Sequence, residues 1–218
     1  MKWLAIDTSG KHLTVILNNG SFIKTSYITD TKLQHSTTLL VEIEKIIEKS
    51  NISLSDIDVF ACVVGPGSFT GIRIGISTCK AFSYALNKKV LPITSFETLA
   101  YNSNDKVVAI IDAKHDNFYA QCFENQVATS KASFIDKTTL LNLAKTHKVI
   151  ASESIEGLNL TVIDIVKGLE NATTNKLNLA SDNRDDLVAL YVKKSQAQEE
   201  LKWLFAVGNL KTICKFLS

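Results

Sequence analysis

A glycine-rich turn between an apolar run and a helical segment offers the clearest candidate chemistry in the chain. Residues 65–71 have the sequence Gly-Pro-Gly-Ser-Phe-Thr-Gly, and residues 59–64 before them are apolar throughout, as in a strand buried on both faces. Such a turn can receive an anion, because glycines permit close backbone approach and a helix start leaves amide N–H groups unpaired. No Gly-Lys-Ser/Thr follows, so the turn lacks a Walker lysine. The alternative is a tight strand-to-helix turn in which Ser68 or Thr70 caps the helix.

Two aspartates end apolar runs of similar pattern. Asp7 closes the first run of the chain, and Asp112 closes the run at residues 107–111. A carboxylate at Asp7 could hold magnesium beside a nucleotide, with Asp112 as its counterpart, whereas the alternative is a turn aspartate that accepts backbone hydrogen bonds. The turn after Asp112 contains no glycine, so one side of such a clamp is incomplete. The candidate nucleotide-binding residues are Asp7, Thr8, Ser9, Gly65, Gly67, Ser68 and Thr70.

The remaining reactive side chains do not form a catalytic or metal-binding set. The four histidines are never three or four residues apart, so no helical pair of metal ligands exists. The sequence contains no Gly-x-Ser-x-Gly turn and no Cys-x-x-Cys pair. We therefore predict no catalytic residue and no metal ligand, and we interpret the four cysteines as packed free thiols in a reducing cytosol.

Composition narrows the classes of partner. The chain of 218 residues carries 24 basic and 22 acidic residues, for a formal charge of +2. This balance gives no overall electrostatic footprint for nucleic acid, although it leaves room for a local basic patch. No apolar stretch approaches the roughly 20 residues of a membrane span, and Met1 leads directly into a predicted strand without a signal-peptide pattern. We expect a cytoplasmic protein without a membrane contact.

Hydrophobic periodicity predicts two related halves. A three-stranded antiparallel meander within residues 3–27 precedes helices at 38–49 and 71–86 and strands at 59–64 and 90–93. The apolar-run-then-aspartate pattern returns at residues 107–114 and continues into a strand at 117–123, which suggests duplication of one unit. For the rest of the chain we predict a helix at 137–145, a strand at 148–151, mixed structure at 155–169, and helices at 185–191 and 199–217. We predict an N-terminal lobe at residues 1–103, which the C-terminal helix at about 199–218 joins, and a C-terminal lobe at residues 104–198.

The helix at residues 71–86 has no polar face. Ile72, Ile76 and Cys79 form a stripe suited to a sheet, while small residues such as Gly71 and Gly75 on the other side would permit another helix to approach. The helix at 38–49 similarly carries more apolar residues than one stripe requires. The two helices either bury this surface within the chain or present an apolar ridge to a partner protein.

The motifs above, taken together, resemble those of the TsaB (YeaZ) family. The matching stretches occur in the family's order and spacing, at residues 5–9, 34–36, 65–75, 110–114 and 191–194. The Gly65–Gly75 stretch is highly specific to the family. The resemblance is close in the N-terminal half and thin in the C-terminal half. The family's Tyr-x-Arg pattern near the tail is Tyr191-Val192-Lys193 here, and lysine does not replace arginine at a bidentate contact.

The resemblance implies a two-lobed actin/hexokinase/Hsp70-like (ASKHA) fold of class α/β, each lobe a mixed sheet with a β-meander and flanking helices. It implies a non-catalytic subunit in the synthesis of N6-threonylcarbamoyladenosine (t6A) in tRNA, which pairs with the transferase TsaD and is joined by TsaE. It also implies a homodimer when alone, contact with tRNA only through the complex, and no cofactor of its own, with ATP or ADP and magnesium at the boundary of the assembled proteins. The predicted partner surface comprises His35, Ser36, Leu39, Ile43, Ile46, Arg73, Ile74, Thr78 and Ala81.

The main alternative is an ATP-dependent phosphotransferase or ATPase of the same fold class, which would use Asp7 and the loop that begins at Gly65. A glycoprotein peptidase activity has also been attached to this superfamily, but no set of residues in the sequence supports it.

Overall fold

The computed structural model describes residues 1–30 and 34–193. In its first half, strands alternate with helices after an opening meander. The elements are β1 (Trp3–Asp7), β2 (Leu13–Asn18), β3 (Ile23–Ile28), α1 (His35–Glu48), β4 (Val59–Val63), α2 (Phe69–Leu86), β5 (Lys89–Ile93) and α3 (Ser95–Ala100). The second half comprises β6 (Val107–Asp112), β7 (Asn117–Glu124), β8 (Val127–Ala128), β9 (Ser133–Asp136), α4 (Lys137–Leu143), β10 (Lys148–Ala151), β11 (Thr161–Val162) and α5 (Ile165–Lys176).

The two halves form sheets of the same design. The first sheet has the order β3-β2-β1-β4-β5, and the second has the order β11-β10-β6-β7-β8, with β9 also paired to β7. In both sheets the first strand of the half pairs antiparallel with the next strand and parallel with a later one. The internal repeat that the sequence suggests is therefore present in the strand topology.

Helices cover both faces of each sheet. On one face of the first sheet, α1 and α2 pack through a core that includes Leu4, Leu39 and Ile72. On its other face, Leu169 and Ala172 of α5 pack against Trp3 and neighbouring residues. The second sheet packs against α3 on one side and α4 on the other. Because α3 and α5 also contact each other, they form a layer between the sheets.

The sequence locates most elements but misjudges some of them. The predicted helix at residues 185–191 is wrong, because only a single 3-10 turn, Arg184–Asp186, forms there. Its residues are instead held along α2 by side-chain contacts of Arg184 and Asp185. The sequence also missed α3 and the full length of α5. The predicted helix at 199–217 lies outside the described residues.

The domain boundaries at 103 and 104 stay a prediction, although one contact bears on how the lobes are built. Helix α5 follows the second sheet in the chain and yet packs on the first sheet. Within the two described stretches, no helix is both long and apolar enough to cross a membrane.

Candidate functional site

Asp7 ends β1 as a buried carboxylate that is bonded within the chain. Its Oδ1 accepts hydrogen bonds from the Ser9 amide at 2.8 Å and the Ser9 hydroxyl at 2.7 Å. Its Oδ2 lies 3.5 Å from Nε2 of His12. Burial alone would raise the pKa of Asp7, but the contacts with His12 and Ser9 outweigh burial and lower it. Asp7 is therefore an ionised, internally paired group at neutral pH.

The glycine-rich turn packs tightly on the residues that follow Asp7. The amide of Ser68 donates to the carbonyl of Ser9 at 2.7 Å. A Cβ on Gly67 would lie 2.3 Å from that same carbonyl oxygen, so only glycine fits. Ser68 Oγ accepts from the Gly71 amide at 3.2 Å and caps α2, as the alternative interpretation of the turn predicts. Thr70 is exposed in the first turn of that helix.

The second aspartate is also paired with a cation of its own chain. Asp112 Oδ1 accepts from the Lys114 amide at 2.8 Å, and Oδ2 accepts from Lys114 Nζ at 2.6 Å. The hydrogen bond from Lys114 holds the pKa of Asp112 below its ordinary value. The side chain of Lys114 is 72% exposed, so this ion pair lies at the surface.

A cleft of about 960 Å³ separates the two sheets at the ends of β1, β6 and β10. Lys11 and Glu153 form an ion pair of 3.0 Å, and both residues line this cleft. The carboxylate oxygens of Asp7 and Asp112 have hydrogen-bond or ion-pair partners within the chain. Across residues 1–30 and 34–193, no group of three or more His, Cys, Asp or Glu residues could hold a metal ion. Nucleotide binding at Asp7, Thr8, Ser9 and the turn that begins at Gly65 stays a prediction.

The structure divides the predicted partner surface into two groups. His35, Leu39, Ile43 and Ile46 are at most 4% exposed. The three aliphatic residues belong to the core beneath α1, and His35 Nε2 lies 3.1 Å from the carbonyl of Gly10. These side chains therefore offer little surface to a partner, and of the four only Leu39 lines the groove described below. The others are accessible: Ser36, Arg73 and Ala81 are exposed, and Ile74 and Thr78 are half-buried.

Two small residues of α2, Gly71 and Gly75, face inward, contrary to prediction. A Cβ on Gly71 would lie 2.0 Å from the Thr8 carbonyl oxygen, and one on Gly75 would lie 2.7 Å from Thr8 Oγ1. Thr8 Oγ1 donates to the carbonyl of Gly71 at 2.7 Å. The glycines therefore permit close packing of α2 on the end of β1, and not the approach of an outside helix.

A groove of about 460 Å³ runs between α1 and α2 on the outer surface. It is lined by Ser36, Leu39, Leu40, Phe69, Thr70, Arg73, Ile74, Ser77 and Thr78. Leu40 and Phe69 are 54% and 55% exposed and line the same groove, so together they mark a candidate protein contact. The sequence analysis missed both as surface residues. A phenylalanine within the turn gives no sequence signal of its orientation.

Comparison with known proteins gives a consistent family. The family model described as "TsaD: tRNA N6-adenosine threonylcarbamoyltransferase" matches residues 29–212. The chain is 30% identical over 127 residues to the tRNA threonylcarbamoyladenosine biosynthesis protein TsaB of Bacillus subtilis, covering 57% of this chain and 56% of that protein. It is 31% identical over 124 residues to TsaB of Escherichia coli, covering 55% and 53%. The matches thus span about half the length of these curated relatives.

The solved structure of YeaZ from Pseudomonas aeruginosa shares the fold. It superposes with a TM-score of 0.71 at 20% identity, covering 87% of this chain and 99% of that one. The predicted fold class, a two-lobed ASKHA fold of mixed sheets with flanking helices, is confirmed by this match and by the two equivalent sheets. The family model covers well over half of the sequence and places the chain in the TsaD-like family, and the curated relatives at about 30% identity are TsaB proteins. The chain therefore belongs to the TsaB (YeaZ) family.

Proposed function

We propose that the chain is a non-catalytic subunit of t6A synthesis in tRNA, which binds the transferase TsaD and activates it. The observation that carries the proposal is the groove between α1 and α2, with its exposed apolar residues Leu40 and Phe69. Apolar patches of this kind are typical of protein interfaces. The names of the relatives supply the pathway, and the TsaD family model that matches this chain fits a TsaD-associated role.

The burial of the predicted partner residues revises the proposed surface. Ile43 and Ile46 support the groove from the core, and Leu39 lines it although it is almost fully buried. Ser36, Leu40 and Ile74 line the groove and remain accessible. Helix-on-helix docking is the natural mode for a groove between two helices. Association with TsaE and a homodimer through the same surface stay predictions, as do tRNA contact only through the complex and ATP or ADP with magnesium at its boundary.

The alternative, an ATP-dependent phosphotransferase, is less well supported. Its carboxylate, Asp7, is bonded to Ser9 and faces His12, and the turn beyond Gly65 uses its Ser68 amide to bind Ser9. Purified chain should therefore hydrolyse ATP with magnesium no faster than its Asp7→Asn variant. Clear turnover by the wild type that the variant lacks would favour the phosphotransferase.

The direct test is complex formation with TsaD from the same source. We expect the wild-type chain to co-elute with TsaD in size-exclusion chromatography and to increase t6A formation on tRNA in vitro. Ile74→Asp places a charge in the groove and should abolish both effects while the chain stays folded. Val41→Asp is the matched control, since Val41 is 44% exposed on α1 but does not line the groove. Failure of the wild type to bind TsaD, or equal binding by Ile74→Asp, would contradict the proposal.

A further inference from the structure

Arg73 is the charged residue among those that line the groove in the described parts of the chain. Its guanidinium carbon lies 3.7 Å from the centre of the Phe69 ring, a cation–π contact between residues one helical turn apart. Its Nε donates a hydrogen bond to Tyr191 Oη at 3.0 Å. The two rings also contact each other, with centroids 5.5 Å apart. One stacked face and one hydrogen bond thus fix the guanidinium at the end of the groove.

Tyr191 is itself held in place by the segment that precedes it. Residues 184–191, which we call the strap, run along α2 towards its N-terminus. Arg184 donates to the Ser83 hydroxyl at 3.0 Å near one end of α2, and the Leu190 amide donates to the Val64 carbonyl at 2.7 Å near the other. Leu187 between them is 1% exposed in the core. The strap therefore positions the Tyr191 side chain beside Arg73.

The outer edge of the guanidinium keeps its capacity to bind. An arginine has five N–H donors, and towards the described residues Arg73 donates through Nε. Among the ion pairs of residues 1–30 and 34–193, none joins Arg73 to a carboxylate. The two terminal amino groups form a planar fork that matches a carboxylate in two parallel hydrogen bonds. Arginine and aromatic residues at fixed positions are typical of residues that dominate binding energy, because little freedom remains to be lost.

We propose that Arg73 selects the partner of the groove by binding a carboxylate. The occupant is a helix of a partner protein that carries an aspartate or glutamate beside apolar side chains, which enter the groove between Leu40 and Ile74. Charge complementarity supports this occupant, because the groove has one cation within an otherwise neutral lining. The inference rests on the proposed function, in which that partner is TsaD.

The experiment compares the affinity for TsaD of the wild type and single variants, as a function of sodium chloride concentration. Arg73→Gln should weaken binding at least about 10-fold and flatten the salt dependence of Kd. Arg73→Lys should fall between the two, because it keeps the charge and loses the fork. Lys45→Gln is the matched control: it removes one exposed positive charge from α1 outside the groove, and it should change Kd by less than about 2-fold.

The outcomes separate this inference from the function on which it rests. If the wild type does not bind TsaD, the proposed function fails. If the wild type binds and Arg73→Gln binds with the same Kd and salt dependence, the function stands and the role of Arg73 is wrong. Thermal melting of each variant checks the fold. If Arg73→Gln melts early, Arg73→Lys carries the comparison, and wild-type affinity for that variant would equally overturn the inference.

Discussion

At the scale of single residues, Asp7 is the candidate nucleotide ligand at the end of β1, and its contacts indicate a structural role. Asp7 is 3% exposed and receives two hydrogen bonds from Ser9, and its other oxygen faces His12. A buried carboxylate stays charged only where such partners replace water. Asp7 therefore fixes the turn after β1, on which Gly67 and Ser68 then pack.

Replacing Asp7 by asparagine should cost stability in a pH-dependent way. At pH 7 we expect Asp7→Asn to lower the free energy of unfolding by about 1–3 kcal/mol, because it weakens charge-assisted hydrogen bonds in a buried site. The folded-state pKa of Asp7 lies below its ordinary value of 3.8, so its contribution is complete above that value and is lost as the pH falls through the folded pKa. In urea denaturation between pH 7 and pH 3, the stability difference between the two proteins should narrow as the pH falls below 3.8.

The equivalent aspartate of the second sheet provides the control. Asp112 pairs with Lys114, whose side chain is 72% exposed, so Asp112→Asn should change stability by less than about 1 kcal/mol. A destabilisation by Asp7→Asn that stays constant down to pH 3 would contradict the assigned role of its charge. Complex formation with TsaD and t6A synthesis should remain largely intact in Asp7→Asn, if its role is structural.

The limits of sequence analysis are clear in α1. Its periodicity correctly predicts a helix with an apolar stripe, whereas the resemblance places Leu39, Ile43 and Ile46 on the partner surface. The pattern does not tell whether a set faces the chain's own sheet or a partner, because both environments select the same side chains. The sequence also does not show which groups bond to the buried carboxylate of Asp7. A turn aspartate at Asp7 and a helix cap at Ser68 were nevertheless among the alternatives.

At the scale of elements, α2 is predictable in extent but not in orientation. The helix at 71–86 is observed as Phe69–Leu86, with Ser68 as its N-cap and Asn87 in the left-handed region as its C-cap. Small residues four apart suggested contact with an outside helix, whereas they meet Thr8 at the end of β1. The 3-10 turn at Arg184–Asp186 shows a related limit: its acidic pair resembles a helix start, but contacts with α2 decide its conformation.

The inward packing of α2 predicts the sign of a mutation. In an exposed helix, glycine to alanine stabilises by up to about 1 kcal/mol through helix propensity. Gly71→Ala should instead destabilise by at least about 1–3 kcal/mol, since the new methyl group would lie 2.0 Å from the backbone oxygen of Thr8. Guanidinium denaturation gives the difference. Ser77→Ala, at an exposed position of the same helix, should stay within about 0.5 kcal/mol. A stabilised Gly71→Ala would refute the close contact.

At the scale of the whole molecule, the chain crosses between its two sheets more than once. After β11 it returns to the first sheet through α5, and the strap then follows α2 of the same lobe. Between the sheets, Lys176 of α5 binds Glu97 of α3 at 2.7 Å, and both side chains are less than one-fifth exposed. The sequence predicted two related halves, but their connection through α3 and α5 depends on contacts far apart in the chain, for which periodicity gives no signal.

This shared layer predicts that a defect in α5 affects both lobes. Leu169 is fully buried against the first sheet, and α5 also contacts α3, which packs on the second. Leu169→Ala should cost about 2–5 kcal/mol and reduce hydrogen-exchange protection in β4 and β6 together. Leu140→Ala in α4 removes a similar core side chain from the far side of the second sheet, so its loss of protection should be concentrated in β6, β7 and β10. If Leu169→Ala weakened β4 alone, the two lobes would be independent folding units, and α5 would belong to the first lobe only.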